Sequence, residues 1–346
     1  MTAPFRLSVL DQTPVPEGSS GPEALRNTLD LARLADRLGY DRYWLAEHHG
    51  LSLAGPAPEV LIGPVAAATE RIRVGSGGVM LPHYSPFKVA EVFSLLGGLY
   101  PGRIDLALGR ASGTDPMTTF ALQRDRRTAS PDDFPQQLAE LLAHYDGTFP
   151  VDHPFARLAH SLPGGDERPE IWLLGSSPQS AIWAAQLGLP YAFADFINPR
   201  GASIAADYRS RFEPSDRALT PRTAIGVWAI CADTTEEADR LASSIAMSMA
   251  MLRSGRPIPV PPPETALRYL AQYPDAAAAS GRRRIVGDPP AVRAGIEAVA
   301  AEYGADEVIV VTITHDHGAR KRSYELIAEA FEPAAPAPSA AASSGG

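Results

Sequence analysis

The sequence predicts an α/β fold, a single closed (β/α)8 TIM barrel with insertions after its fourth and seventh strands. Two observations predict it. Eight short apolar or β-branched runs alternate with helix-period stretches along almost the whole chain, the pattern of a parallel sheet with helices between its strands. Several helix-to-strand junctions also carry a glycine where a helix must stop, as at Leu38-Gly39-Tyr40-Asp41, Leu187-Gly188-Leu189-Pro190 and Tyr303-Gly304-Ala305-Asp306; glycine tolerates the left-handed conformation that ends helices. The chain has 346 residues, and α/β barrels run to roughly 250 residues or more as one unit.

In order, the first strand is Phe5–Leu10, followed by a helix over Pro22–Leu38. Arg42–Ala46 and Pro58–Thr69 form the second unit, Ile72–Val79 and Pro86–Leu99 the third. Ile104–Leu108 is the fourth strand, with a helix over Asp133–Tyr145 flanked by two polar, irregular stretches, Ala111–Pro131 and Gly147–Arg168. Ile171–Leu174 leads to Pro178–Leu187, Tyr191–Ala194 to Gly201–Phe212, and Ala224–Cys231 to Thr235–Met251. The third irregular stretch, Arg253–Arg284, precedes a helix over Pro289–Tyr303 and the last strand, Val308–Thr314. Long insertions in a barrel cover the active site or stay mobile. The barrel domain is expected over residues 1–332; residues 333–346, rich in Ala, Pro and Ser, are expected to be disordered.

Hydrophobic residues make up 45% of the chain, enough for a large core, and the net charge is −9. An acidic surface argues against general affinity for nucleic acid or anionic membrane. Cys231 is the only cysteine, which excludes an internal disulfide or a cysteine-based metal site. The N-terminal residues read as a strand rather than a leader, and no stretch approaches the roughly 18 apolar residues of a membrane span. A cytoplasmic location is expected.

Reactive groups in such barrels stand at the C-terminal ends of the strands. There the sequence places Glu47-His48-His49 after the second strand, Ser76-Gly77-Gly78 on the third and Arg110-Ala111-Ser112-Gly113 after the fourth. Gly175-Ser176-Ser177-Pro178-Gln179-Ser180 follows the fifth strand, with Asp11 and Asp195 after the first and sixth. The segment after the fifth strand reads either as an anion site, built from helix N-terminal amides and hydroxyls with Arg110 as cationic partner, or as ordinary N-capping by Ser176 or Ser177. Glycines at 77 and 78 allow close approach of a flat ligand, or mark a β-bulge needed for closure. Adjacent histidines on an extended segment point to opposite sides, so His48 and His49 are poor joint metal ligands and no metal is expected. A lone histidine suits proton transfer, hydrogen bonding to a ligand, or a structural role.

Together, Trp44–His49, Val74–Pro86, Pro101–Arg110 and Leu174–Ala181, four motifs in order between Phe5 and about Phe331, resemble the bacterial luciferase-like flavin monooxygenases. Leu10-Asp11-Gln12 and Tyr191–Ala194 are most similar to the subgroup that includes oxygenases of aromatic polyketide biosynthesis. The resemblance implies reduced FMN across the barrel mouth, its phosphate near Ser176, Ser177, Ser180 and Arg110 beside Gly175. Its ring would lie near Ser76, Gly77 and Gly78, with a cis peptide between the two glycines. Glu47 matches an acidic residue near the flavin, and His48 a histidine that manages a proton. The segment 253–284 matches a mobile loop over the site. Ser176 stands where luciferases carry an acidic residue and Gly109 where they carry a reactive cysteine, so light emission is not implied. The implied reaction is oxygenation of a small organic substrate by O2 through a flavin hydroperoxide. A separate reductase would supply FMN, and a homodimer is common in the family. The rivals are a deazaflavin-dependent hydride-transfer enzyme, a non-catalytic flavin-binding subunit, and a metal-dependent hydrolase in which His48, Asp195 and His315 would have to converge.

Overall fold

A computed structural model describes residues 5–110, 114–123, 132–274 and 281–331. The strands are β1 (Arg6–Asp11), β2 (Arg42–Leu45), β3 (Arg73–Met80), β4 (Ile104–Gly109), β5 (Glu170–Gly175), β6 (Tyr191–Ala194), β7 (Thr223–Cys231), β8 (Ile285–Gly287) and β9 (Glu307–Val311). Strands β1 to β6 pair in sequence, β6 pairs β7, β7 pairs β9, and β9 returns to β1, every pairing parallel. This is the closed eight-stranded barrel that the alternation predicted. The short β8 lies outside it, paired only with the end of β7 at Ala229–Cys231.

The helices are α1 (Gly21–Arg37), α2 (Pro58–Ala67), α3 (Pro86–Leu99), α4 (Pro116–Leu122), α5 (Phe134–Asp146), α6 (Pro178–Gln186), α7 (Ala202–Arg211), α8 (Thr235–Arg253), α9 (Pro263–Gln272), α10 (Pro289–Tyr303) and α11 (His317–Phe331). Local chemistry explains many of their starts. Ser20, Ser85, Thr234 and Asp288 each accept a hydrogen bond from a backbone N–H in the first turn of α1, α3, α8 and α10. Gly188 and Gly304 adopt φ of +59° and +55° at the ends of α6 and α10.

Period-two alternation sorts side chains to two faces. Val9, Tyr43, Leu45, Val74 and Leu106 face outward into the main core against Leu31, Ile62 and Phe93 of the helices. Leu10, Trp44, Ala107, Trp172, Ala192 and Ile309 face into the barrel. Below them the floor is ionic: Arg42, 1% exposed, reaches Asp105 and Glu170 at 2.7 Å and Glu307 at 3.1 Å. Charged floor and aromatic middle leave only the upper end open.

Four elements differ from the sequence expectation, one of them α4, which lies inside the stretch Ala111–Pro131 expected to be irregular. Helix α11 and strand β8 are additions. The stretch 253–284 is not wholly irregular, because Pro262 and Pro263 open α9, proline being pre-set for a first helical turn. Before α9, Val260 exchanges backbone hydrogen bonds with Val15 and Glu17, strapping the segment to the loop after β1. Residues 275–280 and the tail 333–346 lie outside the described residues, so the expectations of a mobile loop tip and a disordered tail are not addressed there. Ser112 and Gly113 lie outside them as well. Among the described residues no helix is long and apolar enough to cross a membrane.

Candidate active site

The barrel opens at its C-terminal end into a cavity of about 360 Å³. Its lower walls are Leu10, Trp44, Gly77 and Ile309; Met80, Leu174, Phe193, Phe196 and Ile197 continue them upward. The polar lining groups are Gln12 and His48, after β1 and β2, and, after the adjacent strands β4 and β5, Arg110 and the run Gly175-Ser176-Ser177 with Ser180. Seven of the ten residues singled out from sequence (His48, Gly77, Arg110, Gly175, Ser176, Ser177, Ser180) therefore meet around one space.

The β5–α6 turn presents the start of a helix to the cavity. Ser177 occupies the N-cap position of α6, yet its hydroxyl makes no capping hydrogen bond, leaving first-turn donors available. The Ser180 hydroxyl donates to Ser177 O at 2.9 Å and lies 3.0 Å from the Tyr191 hydroxyl. Asn198 donates to Ser176 O at 3.1 Å, so the loop after β6 braces the turn. A side chain at Gly175 would collide with the Ser180 hydroxyl. Arg110 lies over the Trp183 ring of α6 at 5.6 Å, 3.5 Å from Asp132. Sequence reading found the serines and Arg110 but missed Tyr191, Asn198 and Trp183, whose roles depend on three different elements meeting.

The Gly77–Gly78 peptide is cis, as the resemblance implied, and the β3–β4 register shifts between Gly77 and Val79. Bulge and close approach coexist there. Gly77 lines the cavity, while a Cβ on Gly78 would meet Ala107 O at 2.5 Å, so Gly78 packs against β4 instead. Ser76 does not reach the cavity: its hydroxyl donates to Ala107 O at 2.9 Å and accepts from Ala107 N at 3.1 Å, riveting β3 to β4.

Glu47 also stands behind the wall, fully buried. One carboxylate oxygen accepts from the N–H of Met80 at 2.8 Å, the other lies 3.1 Å from His49 Nε2, and the Tyr84 hydroxyl adds a further bond. Burial pushes its pKa up to about 7, against the Met80 N–H and His83, which favour the anion. His48 and His49 point apart, as extended backbone requires: His48 lines the cavity, and His49 faces Glu47 and His83. Asp11 and Asp195 are not at the cavity. Asp11 accepts from Arg320, Tyr43, Thr28 and the Thr13 N–H at 2.6–2.7 Å. Asp195 accepts from the Tyr303 hydroxyl at 2.9 Å. His315 contacts Glu17 O, and the metal trio of His48, Asp195 and His315 does not form.

A family model described as luciferase-like monooxygenase matches residues 5–310. The chain belongs to the luciferase-like monooxygenase family. It is an enzyme of a flavin-dependent monooxygenase family. A luciferase-like monooxygenase of Escherichia coli (strain K12) is 43% identical over 332 residues, 94% of this chain and 96% of the relative. An N-acetyl-S-alkylcysteine monooxygenase of Bacillus subtilis (strain 168) is 37% identical over 332 residues, 94% and 98% of the two chains. The crystal structure of apo-MsnO8 superposes with a TM-score of 0.86 at 42% identity, over 94% of this chain and 97% of that one. The fold alone is shared with the FMN-bound oxygenating constituent of a Pseudomonas putida 3,6-diketocamphane monooxygenase (TM-score 0.70, 20% identity, 95% and 97% covered). It is also shared with an F420-dependent secondary alcohol dehydrogenase (TM-score 0.62, 16% identity, 96% and 100% covered).

Proposed function

We propose that this enzyme is a two-component FMN monooxygenase: a separate flavin reductase supplies reduced FMN, and O2 oxygenates a small organic substrate. The observation that carries the reading is the cavity's division into an apolar slot and an anion cradle. The turn Gly175–Ser177 at the start of α6, with Ser180 and Arg110, fits a phosphate monoester, and the flat Gly77 face fits a planar ring.

Bound there, reduced FMN supplies the electrons that activate oxygen. The protein's part is to place and shelter it. Arg110 and the serine hydroxyls fix the phosphate. Trp44, Met80 and Leu174 exclude water from the ring, which suppresses wasteful peroxide release. The His48 imidazole, half-buried on the cavity wall, accepts or returns a proton at a ring nitrogen. Glu47 holds the Met80 N–H and so fixes the wall beside His48.

Two features of the wider molecule enter the proposal. Val60 on α2 and Leu95 and Leu99 on α3 are each half or more exposed, which supports a homodimer through the early helices. The N-acetyl-S-alkylcysteine monooxygenase relative makes thioethers the first substrates to try.

The test is an anaerobic titration with reduced FMN and with a reduced 5-deazaflavin, followed by mixing with oxygen. Tight binding of reduced FMN, with reoxidation slower than in free solution and faster release of peroxide in His48→Ala, is expected. Tight binding of the deazaflavin alone would favour the hydride-transfer alternative. Binding of reduced FMN with reoxidation unchanged would favour a non-catalytic flavin subunit.

A further inference from the structure

Behind the cavity wall the loop after β2 and the turn after β3 bring together Glu47, His49 and His83, whose ligand atoms all lie within 4.8 Å of one another. Among the described residues this is the one group so arranged. It comes from two segments far apart in sequence, brought side by side because β2 and β3 are adjacent in the barrel.

We infer that Glu47, His49 and His83 form a binding site for a divalent transition-metal ion of the zinc class, which ties the β2 loop to the β3 turn.

The donor set is right for such an ion. Two imidazoles and a carboxylate are the ligands that zinc, cobalt(II) and their neighbours prefer, whereas magnesium and calcium favour all-oxygen sites. The closest pair, His49 Nε2 and Glu47 Oε1, is 3.1 Å apart. Ligands on a tetrahedral ion with bonds of about 2.0–2.2 Å stand roughly 3.3 Å apart. The two rings meet edge to face, centroids 6.0 Å apart at 88°, so the site closes by a small swing of His83.

The charge around the trio is a second, independent sign. Glu47 is fully buried, and no lysine or arginine is within ion-pairing distance of it among the described residues. Glu59, in the first turn of α2, adds a second carboxylate that acts electrostatically on both Glu47 and His49. Its Oε2 is buried without a hydrogen-bond partner. Two carboxylates and two imidazoles thus lie together behind the wall. A divalent cation held by the trio would offer Glu59 Oε2, which has no hydrogen-bond partner, an electrostatic partner from outside the first set of ligands. The role is positional, because residues 47–49 and 81–83 bracket His48 and Met80, which both line the cavity.

The experiment uses the full chain, stripped of metal by chelator dialysis and titrated with Co2+, read by visible d–d absorption and by equilibrium dialysis. No flavin is present, so the outcome does not depend on the proposed function. One equivalent should bind, be displaced by Zn2+ and not by Mg2+, and raise the melting temperature. His49→Ala and His83→Ala should each weaken binding more than about 100-fold, since even the loss of groups that only orient ligands costs 10–100-fold. His48→Ala, one residue away but facing the cavity, should bind normally. If either alanine variant fails to fold by circular dichroism, His49→Gln or His83→Gln replaces it. Absence of a stoichiometric Co2+ spectrum in the wild type, or equal uptake by the His49→Ala/His83→Ala double variant, overturns the inference.

Discussion

Replacing Gly78 by alanine should destabilise the barrel more than the same change at Gly77, although the two are neighbours on one strand. At Gly78 a Cβ would lie 2.5 Å from Ala107 O, 3.0 Å from Ala107 C and 2.8 Å from Leu174 Cδ2. Carbon and carbonyl oxygen normally stand about 3.3 Å apart or more, so β4 would have to move by most of an ångström. It is poorly placed to do so: Ala107 is held by the Ser76 hydroxyl on both its N–H and C=O. At Gly77 the new methyl meets side chains instead, Leu10 Cδ1 at 2.7 Å and Trp44 Cβ at 2.9 Å. Leu10 lines the cavity and can swing into it. Overpacking costs roughly 1–3 kcal/mol; Gly78→Ala belongs at the upper end and Gly77→Ala at the lower. Equilibrium unfolding in guanidinium, with midpoint and slope fitted for both variants, measures the difference. Gly77→Ala should instead lose affinity for reduced FMN, because the space Leu10 takes is the space the ring needs. A Gly78→Ala protein as stable as wild type, or the reverse order of the two variants, would refute this packing argument.

Arg110→Met and Ser177→Ala should each weaken FMN binding by about 10- to 100-fold, the range for a hydrogen bond to a charged group, with Arg110 at the lower end because it is 44% exposed and shared with Asp132. Riboflavin, which lacks the phosphate, should bind the variants and wild type alike, and fluorescence titration with both ligands checks this. Arg320→Met should cost about 3–5 kcal/mol in a urea melt, since it strands the fully buried Asp11 carboxylate that Arg320 meets at 2.7 Å. Acid stability should depend on the barrel floor, where burial disfavours the Glu170 anion but Arg42, Arg222 and Arg73 outweigh it and hold its pKa at about 2 against the ordinary 4.5. A depressed carboxylate contributes fully above about pH 4.5 and loses its contribution as pH falls toward 2, roughly 3 kcal/mol in all. Glu307 in the same network is raised by burial and so opposes this limb, whereas Asp11 and Asp36 are lowered as Glu170 is, so Glu170→Gln should flatten the acid limb of a melting-temperature profile without abolishing it.

The barrel was legible because its signals are local and repeated. Each strand is a short apolar run, and several helix exits carry a glycine whose reason is steric. Ser177, Ser180, Arg110 and His48 could be found for a related reason: a strand end followed by polar residues marks the barrel mouth whatever the strand's partners are. What stayed hidden depends on contacts that no single segment contains. Ser76 reads like a mouth residue, but it lies before the bulge, in register with the outward-facing Leu45 and Leu106, so plain alternation turns it onto β4 and leaves Gly77 to face the cavity. Helix α9 was masked by its prolines, which sit where a helix begins but read as a break when met in a run. His49 shows the limit most sharply. Alternation of the extended chain past β2 correctly set it apart from His48. Its neighbours are Glu47, two positions back on the same face, and His83, supplied by the turn after β3. Parity along a strand is readable from sequence; which residue of the neighbouring strand completes a cluster is decided by closure of the barrel.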